Sequence, residues 1–328
     1  MTDGQRRYVH IEDPDRILVI REDDLPTPGA DELLIEVAAA GINRADLLQR
    51  KGFYPPPEDA SPIMGLEVAG VVKAVGTAVQ GWQLGEKVCA LVHGGGYASH
   101  ALAPAAQCLA VPEGYSLAEA AALPEALLTV WHNLFQRAGL RGEETVLIHG
   151  GASGIGTLGV AICRAWGARV FSTAGTKEKC RTVEGLGAER CFNYQTQDFE
   201  KELESLGLKN RIDVILDMVG GDYVAKNLAV AAPEGRIVNI AFQRGFDAQV
   251  NFLPLLLKRL TLTGSTLRAQ SAEQKAQMVL EINEKLFEHL ASGAVKPVLD
   301  KQFPLSNCAE AHAYMEEGAH TGKILLIP

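Results

Sequence analysis

Residues 145–156 read Thr-Val-Leu-Ile-His-Gly-Gly-Ala-Ser-Gly-Ile-Gly. Glycines that follow a β-like run and open a helix let backbone N–H groups approach a pyrophosphate at the positive end of the helix dipole. The dinucleotide-binding spacing asks for glycines at 151, 153 and 156. Gly151 and Gly156 fit it, and Ser153 takes the middle position. Gly154 supplies flexibility one residue later, and the Ser153 hydroxyl can donate to a phosphate. Gly151, Ser153, Gly154, Ile155 and Gly156 are therefore the candidate phosphate contacts. The alternative is a glycine-rich strand-to-helix turn that holds no ligand.

About 20 residues beyond such a loop, NAD-binding chains carry an acid for the ribose hydroxyls. Here the second strand runs out as Phe171-Ser-Thr-Ala-Gly-Thr-Lys177, with Ala174 and Gly175 where the acid would stand. Nothing there repels a 2′-phosphate. Lys177 opens the next helix, where a cation is unfavourable on its own and a phosphate would relieve the conflict. A solvated surface lysine is the alternative. Tyr194 can close over the same phosphate or simply pack. The pattern predicts NADPH as the cofactor.

The elements that must position these residues follow from periodicity. Thr145–His149, Arg169–Thr173, Cys191–Tyr194, Asp213–Asp217 and Arg236–Ile240 read as apolar strands. Helices over Ile155–Trp166 and Lys177–Leu186, each with a glycine just past its end, alternate with them. Such alternation predicts a doubly wound α/β domain with a parallel sheet. Leu117–Ala138 reads as one helix. The stretch before it is β-rich, with strands over Leu33–Ala40, Val68–Val75, Lys87–Val92 and Tyr97–Leu102 and one short helix over Arg44–Lys51. Ser271 opens an amphipathic helix with Gln274 completing a capping box. A strand over Val298–Phe303, a short helix after Ser306 and a strand over Lys323–Ile327 follow, and this segment is expected to rejoin the first domain.

Composition bounds the remaining choices. The chain has 328 residues, 47% hydrophobic and 22% charged, which suits two globular domains. A net charge of -9 leaves no basic surplus for nucleic acid. The six cysteines form no C-x-x-C pair and read as thiols of a reducing compartment. No apolar run approaches the roughly 20 residues that span a bilayer. The N-terminus is too charged for a signal peptide. A cytoplasmic protein without membrane partners is the expectation.

Several ordered segments together resemble the zinc-free quinone oxidoreductases of the medium-chain dehydrogenase/reductase superfamily. They are Gly41-Ile-Asn-Arg-Ala-Asp46, Arg50-Lys-Gly-Phe-Tyr-Pro-Pro-Pro57, Pro62-Ile-Met-Gly-Leu-Glu-Val-Ala-Gly70, Leu123-Pro-Glu-Ala-Leu-Leu-Thr129, the phosphate loop, and Thr321-Gly-Lys-Ile-Leu-Leu-Ile327. The Asn-Arg-Ala-Asp and Pro-Glu-Ala segments look closest to the branch with the animal apoptosis-linked quinone oxidoreductase. The resemblance implies a GroES-like catalytic domain over residues 1–122 and 268–328, and a Rossmann NADPH-binding domain over 123–267. It also implies a homodimer or homotetramer and a cofactor cleft between domains.

The zinc alcohol dehydrogenases of that superfamily hold their catalytic metal with Cys, His and Cys. Those positions correspond here to Asn43, Leu66 and about Glu125, and Leu66 cannot ligate zinc. No four-cysteine structural lobe is present. The resemblance instead makes Asn43 and Tyr54 the catalytic candidates, donating hydrogen bonds to a quinone or orienting the nicotinamide. Tyr54 can also be a packing residue beside its prolines. Asp46 reads as a cap or hydrogen-bond acceptor. By family position, Thr129, Val219, Ala241 and Phe242 approach the cofactor, and Leu267 and Arg268 do so from the final Rossmann strand. Lys323 either reaches into the cleft or is a surface charge. His93, His100, His132 and His149 form no triad and read as structural or exposed.

The expected activity is zinc-independent hydride transfer from NADPH to a quinone or similar acceptor. Two alternatives stand beside it: an enone or enoyl-thioester reductase with Tyr54 as proton donor, and a non-catalytic NADPH-binding protein.

Overall fold

A computed structural model describes residues 4–328. They divide into two compact units. One holds the chain up to Glu125 together with Ser271–Ala291 and Pro297–Pro328. The other holds Ala126–Gln270 and Ser292–Lys296.

In the second unit six strands form one sheet in the order Arg190–Asn193, Arg169–Ala174, Thr145–Ile148, Ile212–Asp217, Ala231–Asn239 and Thr261–Gly264. All neighbours run parallel. Numbered along the chain this is 3-2-1-4-5-6, the doubly wound order of dinucleotide-binding domains. Val146, Leu147, Ile148, Val214, Ile215 and Leu216 are all fully buried. A sheet covered on both faces leaves no solvated side for alternation, so these strands read as unbroken apolar runs. The helix Gly154–Ala165 ends at Trp166, and Gly167 follows with a left-handed φ of 90° that only glycine adopts freely.

In the first unit a seven-stranded sheet follows the order Leu299–Pro304, Lys323–Ile327, Glu32–Gly41, Glu67–Val75, Lys87–Leu91 and Cys108–Ala110, with His100–Pro104 pairing to Glu32–Gly41. Leu325 faces Gly41 and Leu326 faces Ala40 across an antiparallel ladder. The C-terminal strand is thus stitched to one formed from the first 41 residues. Leu33, Ile35, Val68, Val88, Ile324 and Leu326 fill the core beneath this sheet.

Three local expectations are corrected. The proposed helix over Leu117–Ala138 is interrupted: one helix ends at Ala121, a second starts at Pro124, and Trp131–Arg137 forms a π-helical turn. Pro124 has no N–H to donate to the preceding turn, so it suits a helix start and stops a continuous one. The hairpin of Gln5–Glu12 with Ile17–Asp24 was absent from the expected strands, because charged residues crowd both runs. The strand placed at Tyr97–Leu102 begins instead at His100, since the Tyr97 N–H donates to the Met64 carbonyl of a loop.

Candidate functional site

In the first unit a buried polar cluster is built around Asn43. Asn43 caps the helix Arg44–Arg50 with extended backbone angles, and its N–H donates to Asp46 Oδ2 at 2.8 Å. Asp46 is therefore the expected cap partner. It also accepts from the Gly65 N–H at 3.3 Å and the Tyr97 hydroxyl at 3.0 Å. Burial is the main cause that raises its carboxyl to about 6. Tyr97 in turn lies 3.3 Å from His312 Nε2, whose ring burial pushes down to about 3. His312 comes from the helix Cys308–Glu317, far along the chain, and no sequence pattern singled it out.

The Asn43 side chain is held on both sides. Its Nδ2 donates to Glu67 Oε1 at 2.9 Å, and its Oδ1 accepts from Lys323 Nζ at 2.7 Å. Lys323 Nζ also donates to Glu67 Oε1 and, at 3.3 Å, to the Ile42 carbonyl. All three ammonium protons therefore have acceptors. Lys323 is 3% exposed and Glu67 is fully buried, so Lys323 is not a surface charge. The sheet explains the meeting: Glu67 and Lys323 start the two strands that flank Glu32–Gly41, and Asn43 lies just beyond its end. Gly41 makes room for it. A Cβ there would fall 2.1 Å from Glu67 Oε1.

The other Glu67 oxygen accepts from the Glu125 backbone N–H at 2.9 Å. Glu125 is partly exposed, and burial followed by the Glu67 charge pushes its carboxyl up to about 8. Tyr54 is partly buried in the turn after Arg50, with its N–H donating to the Leu48 carbonyl at 3.3 Å.

In the second unit the glycine loop follows its strand as expected, with one shift. The left-handed glycine is Gly150, at φ 68°, whereas Gly154 simply opens the helix. Ser153 is the helix cap: its Oγ accepts from the Gly156 N–H at 2.9 Å, and its hydroxyl proton faces only the weak Met218 thioether acceptor at 3.6 Å. Gly151 and Gly156 are sterically required. A Cβ at 151 would stand 2.0 Å from Ser172 Oγ, and one at 156 would stand 2.2 Å from the Gly150 carbonyl. Ile155 is partly exposed on the first helical turn.

Gly175 and Tyr194 are brought together, with the Tyr194 N–H bonded to the Ala174 carbonyl at 3.0 Å. Lys177 is exposed at the first turn of its helix, after the Thr176 cap. Val219 and Phe242 also meet through their turns: the Arg244 N–H donates to the Val219 carbonyl at 2.8 Å, and Gly220 lies under the Phe242 ring. Ala241 is partly buried beside it. Asn133 links Thr129 to the segment after the last strand, donating to the Thr129 carbonyl at 2.8 Å and accepting from Ser265 Oγ at 2.7 Å. Leu267 and Arg268 are buried but lie beyond the final strand, which ends at Gly264.

One second-unit residue escaped the sequence reading. Asp217 is fully buried, and its carboxylate accepts from the Val219 and Gly220 N–H groups at 2.7 and 3.1 Å. It also accepts from the Asn227 and Asn239 side chains, both at 3.0 Å. It shapes the turn that carries Val219. His149, also fully buried, joins it through Asn227 Oδ1 at 2.8 Å, and burial lowers its pKa.

Comparison with known proteins bears directly on these two units. The family described as "Alcohol dehydrogenase GroES-like domain" matches residues 29–113, and "Zinc-binding dehydrogenase" matches residues 186–326. The quinone oxidoreductase of Mus musculus is 31% identical over 92% of this chain and 91% of its own. The chain belongs to the quinone oxidoreductases of the medium-chain dehydrogenase/reductase superfamily. The crystal structure of Escherichia coli quinone oxidoreductase complexed with NADPH is similar with a TM-score of 0.86 and 29% identity, over 99% of this chain and 100% of that one. The CurK enoyl reductase structure is similar with a TM-score of 0.85 and 29% identity, over 98% and 99%. The chain also matches a polyketide synthase subunit of Mycobacterium tuberculosis at 30% identity, spanning 14% of that protein's length.

The matched family name raises the question of zinc. Leu66 is a buried hydrocarbon with no donor atom, and the Asn43 oxygen already holds the Lys323 ammonium, which would repel a dication. These residues do not fit a catalytic zinc ion. The glycine loop fits a dinucleotide better: the close approaches at Gly151 and Gly156 keep side chains off the start of the helix.

Proposed function

We propose that the protein is an NADPH-dependent, zinc-independent reductase that delivers hydride to a quinone or similar electron-poor acceptor. The Lys323–Asn43–Glu67 cluster carries this reading. It fixes the Asn43 amide without a metal and leaves one amide N–H for an acceptor oxygen or the carboxamide of a nicotinamide. Tyr54 is a second donor for the same oxygen. A bound nicotinamide supplies the hydride. Gly151, Ser153, Gly154, Ile155 and Gly156 would hold its pyrophosphate. Gly175, Lys177 and Tyr194 would hold the 2′-phosphate. Thr129, Val219, Ala241, Phe242, Leu267 and Arg268 would line the remainder.

Residues 1–122 with 268–328 are proposed as the catalytic division and 123–267 as the cofactor-binding one. We also propose a cytoplasmic homo-oligomer. In support, the second-unit sheet has an edge at Thr261–Gly264, and the adjoining Leu256 and Leu257 are 74% and 66% exposed.

An enone or enoyl-thioester reductase is the second reading, favoured by the similarity to an enoyl reductase. Steady-state oxidation of NADPH and NADH with 1,4-benzoquinone and with a crotonyl thioester tests both. Quinone turnover with NADPH preferred is expected; turnover confined to the thioester moves the assignment to the second reading, and none with either overturns both.

A further inference from the structure

Hydride transfer to a quinone or an activated alkene leaves the acceptor one proton short, so a reductase of either kind needs an acid. Glu125 has the placement for one. It lies in the first turn of the helix Pro124–Val130, and its backbone N–H is tied to Glu67, the same carboxylate that holds Asn43. Its own carboxyl makes no hydrogen bond or ion pair with any described residue. The other two carboxyl groups of the cluster are fully engaged: Asp46 accepts three hydrogen bonds, and Glu67 accepts from Lys323, Asn43 and Glu125. Glu125 also keeps partial exposure, which Asp46 and Glu67 lack.

The charges facing Glu125 come from four elements. Glu67 starts the strand Glu67–Val75, Asp46 belongs to the helix Arg44–Arg50, Lys323 starts the C-terminal strand, and Lys275 belongs to the helix Ala272–Lys285. Burial and the two acids favour the neutral form, and the two lysines oppose it; the balance stands at about 8. With its carboxyl raised to about 8, this side chain is a carboxylic acid at neutral pH, and its O–H is bound to no described residue.

We propose that Glu125 is the proton donor that completes reduction of the acceptor bound beside Asn43. The proposal rests on the reductase reading above. A bound reduced nicotinamide would supply the hydride, a proton carrying two electrons, and would itself be oxidised. Negative charge then sits on a quinone oxygen or an enolate. The Glu125 O–H bond breaks, and the proton forms an O–H bond of the hydroquinone or a C–H bond of the saturated thioester. The carboxylate left behind is reprotonated from solvent, which the partial exposure of Glu125 admits.

Glu125→Gln keeps the size and removes the acid. The wild-type kcat should be flat below pH 8 and fall about tenfold per unit above it. The variant should lose about 100-fold in kcat, the scale of general acid catalysis, with NADPH KM within about twofold of wild type and no downturn near pH 8. Glu125→Asp should recover part of the rate. A Glu125→Gln enzyme with wild-type kcat and the same alkaline downturn overturns the proposal while leaving the reductase reading intact. Should that variant not fold, the wild type alone decides: a kcat constant from pH 6.5 to 9.5 with no solvent deuterium effect overturns it. A wild type that reduces neither quinone nor enoyl thioester sinks the reductase reading and this proposal with it.

Discussion

The Tyr194 phenol lies over Gly175, so close that a Cβ at 175 would stand 2.6 Å from its hydroxyl. Tyr194 is 49% exposed and can swing away. Gly175→Ala should therefore displace the ring at little cost in stability. If the pair brackets a 2′-phosphate, the displacement weakens NADPH binding and spares NADH. Lys177→Ala should do the same by about tenfold, the scale of one charge-assisted contact. Fluorescence titration with both nucleotides checks each variant. Equal losses for the two nucleotides would remove Lys177 from the phosphate site.

Lys323→Met should be severely destabilising, by about 3–5 kcal/mol, because it leaves the fully buried Glu67 carboxylate without its cation. Adding Glu67→Gln should recover part of the loss, since the uncompensated charge goes with it. Urea denaturation of the two single variants and the double variant measures the coupling. Simple additivity would mean that the pair does not interact.

Asp46 and His312 act on acid stability with opposite signs. The folded Asp46 carboxyl sits at about 6, above its ordinary 3.8, so the native state takes up the proton first. Its contribution grows as pH falls from 6 to 4. His312 sits at about 3, below its ordinary 6.5, so the unfolded chain takes up that proton first. Its contribution is lost as pH falls from 6.5 towards 3. His312→Gln should make the melting temperature less sensitive to acid over pH 6.5–4, and Asp46→Asn more sensitive over pH 6–4. Melting curves across that range with unchanged slopes would contradict both assignments.

Leu256→Glu combined with Leu257→Glu should shift the protein towards monomer without unfolding it, because both side chains are exposed on the single chain. Light scattering coupled to size exclusion measures the mass. A wild type that is already monomeric would refute the oligomer proposal.

Much of the second unit was legible because its strands are short, apolar and separated by helices with glycine stops, all local signals. The Ser271–Gln274 capping box was equally legible, being two residues in one turn. The site around Asn43 was legible only in part. Asn43 and Asp46 are neighbours in sequence, whereas Lys323 reaches Asn43 across 280 positions and Glu67 across 256. No periodicity reports such a meeting; it follows from which strands lie side by side. Asp217 was missed for a related reason. A single acid at a strand end looks solvated until the two asparagines that satisfy it are brought up by other elements.

The stitching of the C-terminal strand to Glu32–Gly41 sets an order on biosynthesis. Glu67 emerges from the ribosome some 256 residues ahead of the ammonium that neutralises it. Until that lysine is made, closing the first unit would bury the Glu67 carboxylate without its cation, which disfavours closure there. The parallel sheet of the intervening segment has all its strands by residue 264 and can mature first. Assembly of this protein should run from the middle outward, with the amino-terminal segment up to Glu125 waiting for its partner strand.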